Sequence, residues 1–346
     1  MFMNNNTFLK IILLSALLSS FLACSNKKAY NILRNSNLIY SKEIPLNFML
    51  GNPYQLKLLD NYLIIADRID NKMLTIFDLN TSQLTNRVIN IGQGPNEMLM
   101  PINIDVDRKS NTIGILQRQS GYYSEFQLND LLKGEVIPYN KINFGNVEKF
   151  LKIGNNYFTE GFYTSGNIGF YNNKGELLFV ENIFPDYLKQ VENISNRYRL
   201  GQGEICYNEI SETFLYASLF TGDIDFYSFH DNQLKKINEF SLDNNIRERI
   251  KNNPNDVNIR NDDIIHSTDI TYNSNYFYVL YSGESMQKSQ SAKWSYILKF
   301  NSIGQFLGCY KSDRCLFNIC ITEDNSKMYA IILTSELDYS LAEIML

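Results

Sequence analysis

Histidine and tryptophan are nearly absent: two and one, respectively, in 346 residues. With only His230 and His266, a hydrolytic triad has few ways to form, and neither histidine has a C-x-x-C neighbour with which to make a zinc site of the usual N/S type. The chain also lacks a cluster of positive charge. Its 32 Lys and Arg are scattered and its formal net charge is −5, whereas a nucleic-acid surface needs a concentrated basic patch. Phosphate-loop and G-x-S-x-G sequences are missing, and Gly92-Gln93-Gly94 has neither the third glycine nor the βαβ unit of a dinucleotide fingerprint. The stretch Asp105-Val106-Asp107-Arg108-Lys109-Ser110-Asn111 has the look of a calcium loop but not its central Gly and terminal Glu. No catalytic residue, metal ligand set or cofactor is therefore expected. Nor does any apolar run reach the roughly 20 residues that span a bilayer.

The longest apolar run, Ile11 to Leu22, has the length of a secretory h-region and ends at Phe21-Leu22-Ala23-Cys24. Small residues before a cysteine resemble the lipobox of bacterial lipoproteins. That resemblance implies acylation of Cys24, removal of residues 1–23 and a tether over residues 24–36. Ser25 behind the cysteine implies the outer membrane, and the lack of an acidic run there implies the periplasmic side. An exported compartment permits disulfides. Cys309 could bridge to Cys315 or Cys320, but small apolar strand residues are the preferred reading for these and Cys206.

The strongest signal is repetition. A turn residue leading into a strand recurs at Asn61, Asn111, Asn156, Glu212, Asn275 and Lys327. Two positions after each opening residue the side chain is apolar: Leu63, Ile113, Phe158, Phe214, Phe277 and Tyr329. Two further on stand Ile65, Ile115, Glu160, Tyr216, Val279 and Ile331, so only Glu160 breaks the period-2 face. Each copy is preceded by an apolar strand and followed by a third and a fourth, with turns such as Asn172-Asn173-Lys174-Gly175. A period of roughly 50 residues with four strands each is that of a propeller blade, not of a β-sandwich. The last copy ends one strand short, leaving a costly free edge. The segment Leu38 to Ile44 has no blade of its own and is expected to supply the missing strand. This predicts an all-β chain: one six-bladed β-propeller of four-stranded antiparallel blades over residues 37–346.

Gly92-Gln93-Gly94-Pro95-Asn96-Glu97 resembles the G-x-G-P-x-E stretch of TolB-like six-bladed propeller lipoproteins, as do Tyr281-Ser282-Gly283 and the segment Ile297 to Gly304. The resemblance runs from about Leu38 to Leu346 and implies the fold and an envelope location, but no activity. In a propeller the loops between blades share one face with the loops joining second and third strands. The four long connections, Gly92–Pro101, Phe184–Gly203, Leu242–Ile264 and Gly283–Lys293, fall on that face, which is the expected binding surface. A short helix is expected across it from Pro185 to Ile194 and another over Asn245–Asn252. Candidate ligand contacts are Arg68 and Arg118 at the rim, Glu97 in the glycine turn, Arg197 and Arg199 after the first helix, and His266 near the channel mouth. His230 is expected on the opposite, short-turn face. The expected function is non-catalytic binding of an envelope protein, peptide or glycan. The alternative is a metal-dependent hydrolase or lactonase with its site in the channel, a lesser reading because the inner strands show no obvious acidic set.

Overall fold

The computed structural model describes residues 31–346 except 119, 243 and 244. The chain enters through two short strands, β1 (Asn37–Ile39) and β2 (Ser41–Ile44). Blade 1 follows as β3 (Pro53–Leu59), β4 (Tyr62–Ile69), β5 (Lys72–Asp78) and β6 (Gln83–Asn90). Blade 2 is β7 (Ile102–Asp107), β8 (Thr112–Gln117), β9 (Tyr122–Gln127) and β10 (Asn140–Asn143), with helix α1 (Leu128–Leu132) before its last strand. Blade 3 is β11 (Val147–Ile153), β12 (Asn156–Gly161), β13 (Ile168–Tyr171) and β14 (Leu177–Glu181). Helices α2 (Asp186–Lys189) and α3 (Ile194–Gly201) lead to blade 4: β15 (Gly203–Asn208), β16 (Thr213–Ser218), β17 (Asp223–His230) and β18 (Gln233–Ser241). After α4 (Asn245–Asn252), blade 5 is β19 (Ser267–Tyr272), β20 (Tyr276–Tyr281), β21 (Tyr296–Asn301) and β22 (Phe306–Ser312). Blade 6 contains β23 (Leu316–Ile321), β24 (Lys327–Leu333) and β25 (Tyr339–Met345).

These are the six blades that the repeat requires, and the ring closes as the free edge demanded: β2 pairs antiparallel with β25, Ser41 opposite Ile344 and Ile44 opposite Leu341. The closing segment is nonetheless not one strand. Its first part, β1, lies parallel to β22 on the outer edge of blade 5, with Leu38 opposite Lys311. The switch between blades is clamped by Asp313. Its Oδ1 accepts from the Ser41 backbone N–H (3.0 Å) and hydroxyl (2.7 Å), while its own N–H donates to the Ile39 carbonyl (3.2 Å). Amino-terminal to β1, Ile32 and Leu33 pack against the core between blades 4 and 5.

The repeated apolar positions face neighbouring blades. Leu63, Ile113, Phe158, Phe214, Phe277 and Tyr329 are all buried. Between blades 3 and 4 the rings of Phe158 and Phe214 lie edge to face at 5.3 Å, and between blades 4 and 5 Phe226 and Phe300 meet at 5.1 Å. Phe and Tyr thus fill much of the space between blades 3, 4 and 5, whereas Ile, Leu and Met pack blade 1 against blade 2. Gly175 (φ 78°) and Gly304 (φ 80°) occupy the left-handed backbone positions of third-to-fourth-strand turns. The four cysteines of the propeller are free thiols. The single helix expected over 185–194 is broken: α2 stops at Lys189, and Asn193 starts α3 by accepting the Asn196 N–H at 2.9 Å. Arg197 and Arg199 follow α2, as expected, but lie inside a second helix, α3.

Candidate functional site

Each innermost strand turns its free edge, with unpaired N–H and C=O groups, toward the central channel. The side chains lining that channel form two rings of six. The ring nearer the long-loop face is Gln55, Asn103, Lys149, Glu204, Asp269 and Asn318. The ring nearer the short-turn face is Lys57, Asp105, Leu151, Cys206, Thr271 and Cys320. Several of these residues staple one blade to the next by accepting an inner-edge N–H. Gln55 accepts from Ile104 (2.8 Å), Asn103 from Phe150 (3.2 Å), Asp269 from Ile319 (2.8 Å) and Thr271 from Ile321 (3.2 Å). Lys149 works in the opposite sense, donating to the Gly203 carbonyl and to Glu204 Oε1 (2.6 Å).

The channel is therefore richer in acid than the sequence suggested: Asp105, Glu148, Glu204 and Asp269 all line it. No single strand carries an acidic set, and only ring closure assembles one. Register adds to the effect. β3, β11, β19 and β23 each begin with a bulge, so that Tyr54 with Gln55, Glu148 with Lys149 and Thr268 with Asp269 both face the mouth, against strict alternation. Among the described residues no three His, Cys, Asp or Glu side chains converge closely enough to hold a metal ion. The central cation is instead Lys57. Burial works against its charge, yet Asp105 and Asp269 hold its pKa above the ordinary lysine value. Burial in turn lifts Asp269 to about 7.

Of the six candidate contacts only Arg118 reaches the channel. It lines the mouth on the long-loop face, a cavity of about 230 Å³, and forms an ion pair with Glu148 (Nε to Oε2 2.8 Å). Arg68 is exposed at the blade 1 rim. Glu97 turns back on its own loop: its Oε2 accepts the Gly94 N–H at 2.9 Å, and a Cβ on Gly92 would lie 2.1 Å from that oxygen. The glycines of that motif make room for Glu97. Arg197 donates through Nε to the Val191 carbonyl (2.9 Å) within its own connection, and Arg199 donates to the Val257 carbonyl (2.9 Å), tying that connection to the next. His230 is exposed at the end of β17, beside Glu212. Cys24 lies outside the described residues.

His266 is fully enclosed, its backbone N–H donating to the Leu219 carbonyl (2.8 Å). Burial, aided by the charge of Arg247, lowers its pKa to about 3, so the imidazole is neutral in the fold. In the unfolded chain it takes up a proton below about 6.5. The stability it contributes above that pH is expected to drain away as the pH falls toward 3. A His266→Phe variant should lose that part of the acid slope in urea melts at stepped pH.

Two features escaped the sequence. The first is a concavity of about 600 Å³ between α2, α4 and the outer strands of blade 4. Its buried carboxylates are internally paired: Asp223 accepts from Tyr187 and Arg247, and Asp225 from Lys236 (2.9 Å) and Tyr227 (3.3 Å). It clamps the helices to the blade. The second is Glu160, the one break in the repeated apolar face. It is fully buried, neither carboxylate oxygen has a hydrogen-bond partner, and burial raises its pKa to about 8. The broken period in the sequence was its only signal.

A family model described as TolB-like 6-blade propeller-like matches residues 35–324. Among solved structures, a DUF4221 family member from Bacteroides vulgatus superposes with a TM-score of 0.60 at 12% identity, covering 90% of this chain and 98% of that one. A Bacteroides fragilis protein bearing the description of an exported protein gives 0.61 at 13% identity, covering 88% and 94%. The β-propeller domain of Myceliophthora thermophila Cps50 (Swd1) gives 0.52 at 11%, covering 88% and 98%. No curated protein matches the chain.

Proposed function

The chain belongs to the TolB-like six-bladed propeller family, and from that premise we propose that it is a non-catalytic binding protein of the cell envelope, anchored through Cys24, that holds a protein partner on its long-loop face. One observation carries the choice of face and partner. Five separate loops of that face each present an apolar side chain to solvent: Met49, Leu99, Phe162, Ile194 and Leu337, exposed by between 39% and 76%. Apolar side chains offered by five loops around a charged channel mouth suit a protein partner, which can cover them and pair with the charges together. The face is rigid because α2 packs against both α3 and α4, with Arg249 bound to Asp263 (2.7 Å) holding the following loop. A glycan would call for open polar groups, and here Arg197, Arg199 and Glu97 are already engaged.

The hydrolase alternative requires a metal among the channel acids, where Lys57 already supplies positive charge. Envelope location draws support from the apolar N-terminal run before Cys24 and from the exported Bacteroides neighbour. Among the described residues no helix is long and apolar enough to cross a membrane. The outer membrane, periplasmic side, is the proposed address.

Two measurements test this reading. Radioactive palmitate should label the full chain and leave a Cys24→Ala variant unlabelled in the soluble fraction; equal labelling of both removes the anchor. In pull-downs from envelope extract, a Leu99→Asp/Leu337→Asp variant should recover at least tenfold less of the partner than the native chain. Unchanged recovery removes the face.

A further inference from the structure

The channel widens toward the short-turn face into a second cavity, of about 360 Å³, which the partner-binding reading does not use. Its walls are two-sided. Leu151 and Cys206 from blades 3 and 4, with Ile270, Tyr272 and Ile319, make an apolar arc. Lys57 and Asp105 from blades 1 and 2 make a polar one. The polar arc is unfinished. Lys57 has no hydrogen-bond or ion-pair partner among the described residues, and Asp105 receives only backbone N–H groups, a long contact from Lys152 at 3.4 Å and one from its neighbour Val106. A half-buried ammonium and carboxylate with so few partners are placed to make hydrogen bonds with a ligand in the cavity.

The mouth above is spanned rather than open. Arg108, on the β7–β8 turn of blade 2, pairs with Glu323 of blade 6 (2.6 Å), and Lys109 of the same turn pairs with Glu209 of blade 4. Neither partner blade is adjacent to blade 2, so both pairs arch across the opening. They narrow the opening without sealing it, so a small ligand can enter between them.

We propose that this cavity is a binding site for a small uncharged amphiphile that presents a hydrogen-bond acceptor and donor on one edge, such as a carboxamide on an aromatic or aliphatic body. The acceptor meets the Lys57 ammonium, the donor meets Asp105, and the body lies on the Leu151–Ile270 side. An uncharged ligand fits because Lys57 and Asp105 already offset one another, and a further buried charge would stand beside one of like sign. A cavity of about 150 Å³ suffices for benzene, so this one admits a substituted ring. The site is independent of the long-loop face, and its failure would leave the protein-partner reading intact.

Calorimetric titration of the full chain with benzamide, benzoate and benzylamine tests it. Benzamide should bind with a millimolar Kd, and both charged probes at least tenfold more weakly. Lys57→Met, on the polar arc, and Leu151→Phe, which fills the apolar one, should each weaken benzamide at least fivefold while keeping the native far-UV dichroism. Asp105→Asn, isosteric with the native side chain, carries the same test should either variant fail to fold. The site is overturned if benzamide does not bind at 20 mM (roughly the range for so small a ligand), if a charged probe binds as tightly, or if folded variants bind benzamide like the native chain.

Discussion

Replacing Glu160 with Gln is expected to stabilise the propeller by about 3 kcal/mol at pH 7, raising Tm by about 5 °C. The carboxyl is buried without a hydrogen-bond partner, and its pKa in the fold stands at about 8 against 4.5 for an unperturbed glutamate. At neutral pH it is therefore protonated in the folded chain and ionised in the unfolded one, and unfolding releases a proton. Its stabilising contribution is complete below pH 4.5 and is lost as the pH climbs through about 8. Glutamine stays neutral in both states and removes this slope. The gain should thus vanish near pH 4 and be largest above pH 8, as read from chemical denaturation at stepped pH. A gain that does not vary with pH would show that Glu160 ionises freely in the fold. Glu160→Met, which removes the polar group altogether, should match or exceed glutamine.

Lys152→Met should have the opposite sign and a similar size, a loss of about 3–5 kcal/mol. Lys152 is the partner of Glu125, whose side chain is 2% exposed, and it also reaches Asp107 at 3.1 Å. Despite burial, these acids hold its pKa above the ordinary lysine range. Removing the ammonium leaves the Glu125 carboxylate enclosed without a counter-charge, with only neutral donors beside it: Thr112 Oγ1 (3.0 Å), the Tyr139 hydroxyl and a long contact from Asn140 (3.5 Å). Changing Glu125 to Met as well should restore most of the loss, because two apolar side chains carry no unpaired charge. If the double variant is no more stable than Lys152→Met alone, the pair is not the source of the effect.

How far the sequence could be read follows from the range of the forces involved. The alternation around Leu63, Ile113, Phe158, Phe214, Phe277 and Tyr329 reports local burial in a second strand, and six copies of it left one architecture. The need to close the ring followed from a missing strand and predicted the pairing of β2 with β25. The break at Tyr40 was not legible, because it depends on Asp313, 272 residues from Ser41 in sequence. The long arginines of α3 looked available in sequence, since nothing local announces the Val191 and Val257 carbonyls that take them.

The sequence by itself determined the number of blades, the order of strands within each and the face that carries the long loops. All of these are set by hydrophobic periodicity and turn residues over a few tens of positions. Only the tertiary structure decided which side chains share the channel. Residues such as Lys57, Asp105, Glu204 and Asp269 come from four different blades, and the bulges that open β3, β11 and β19 displace the alternation at the mouth. Their charges meet because six separate inner edges point at one axis. No stretch of sequence encodes that relation on its own, and the burial it creates raises the carboxyl pKa of Asp105 and of Asp269.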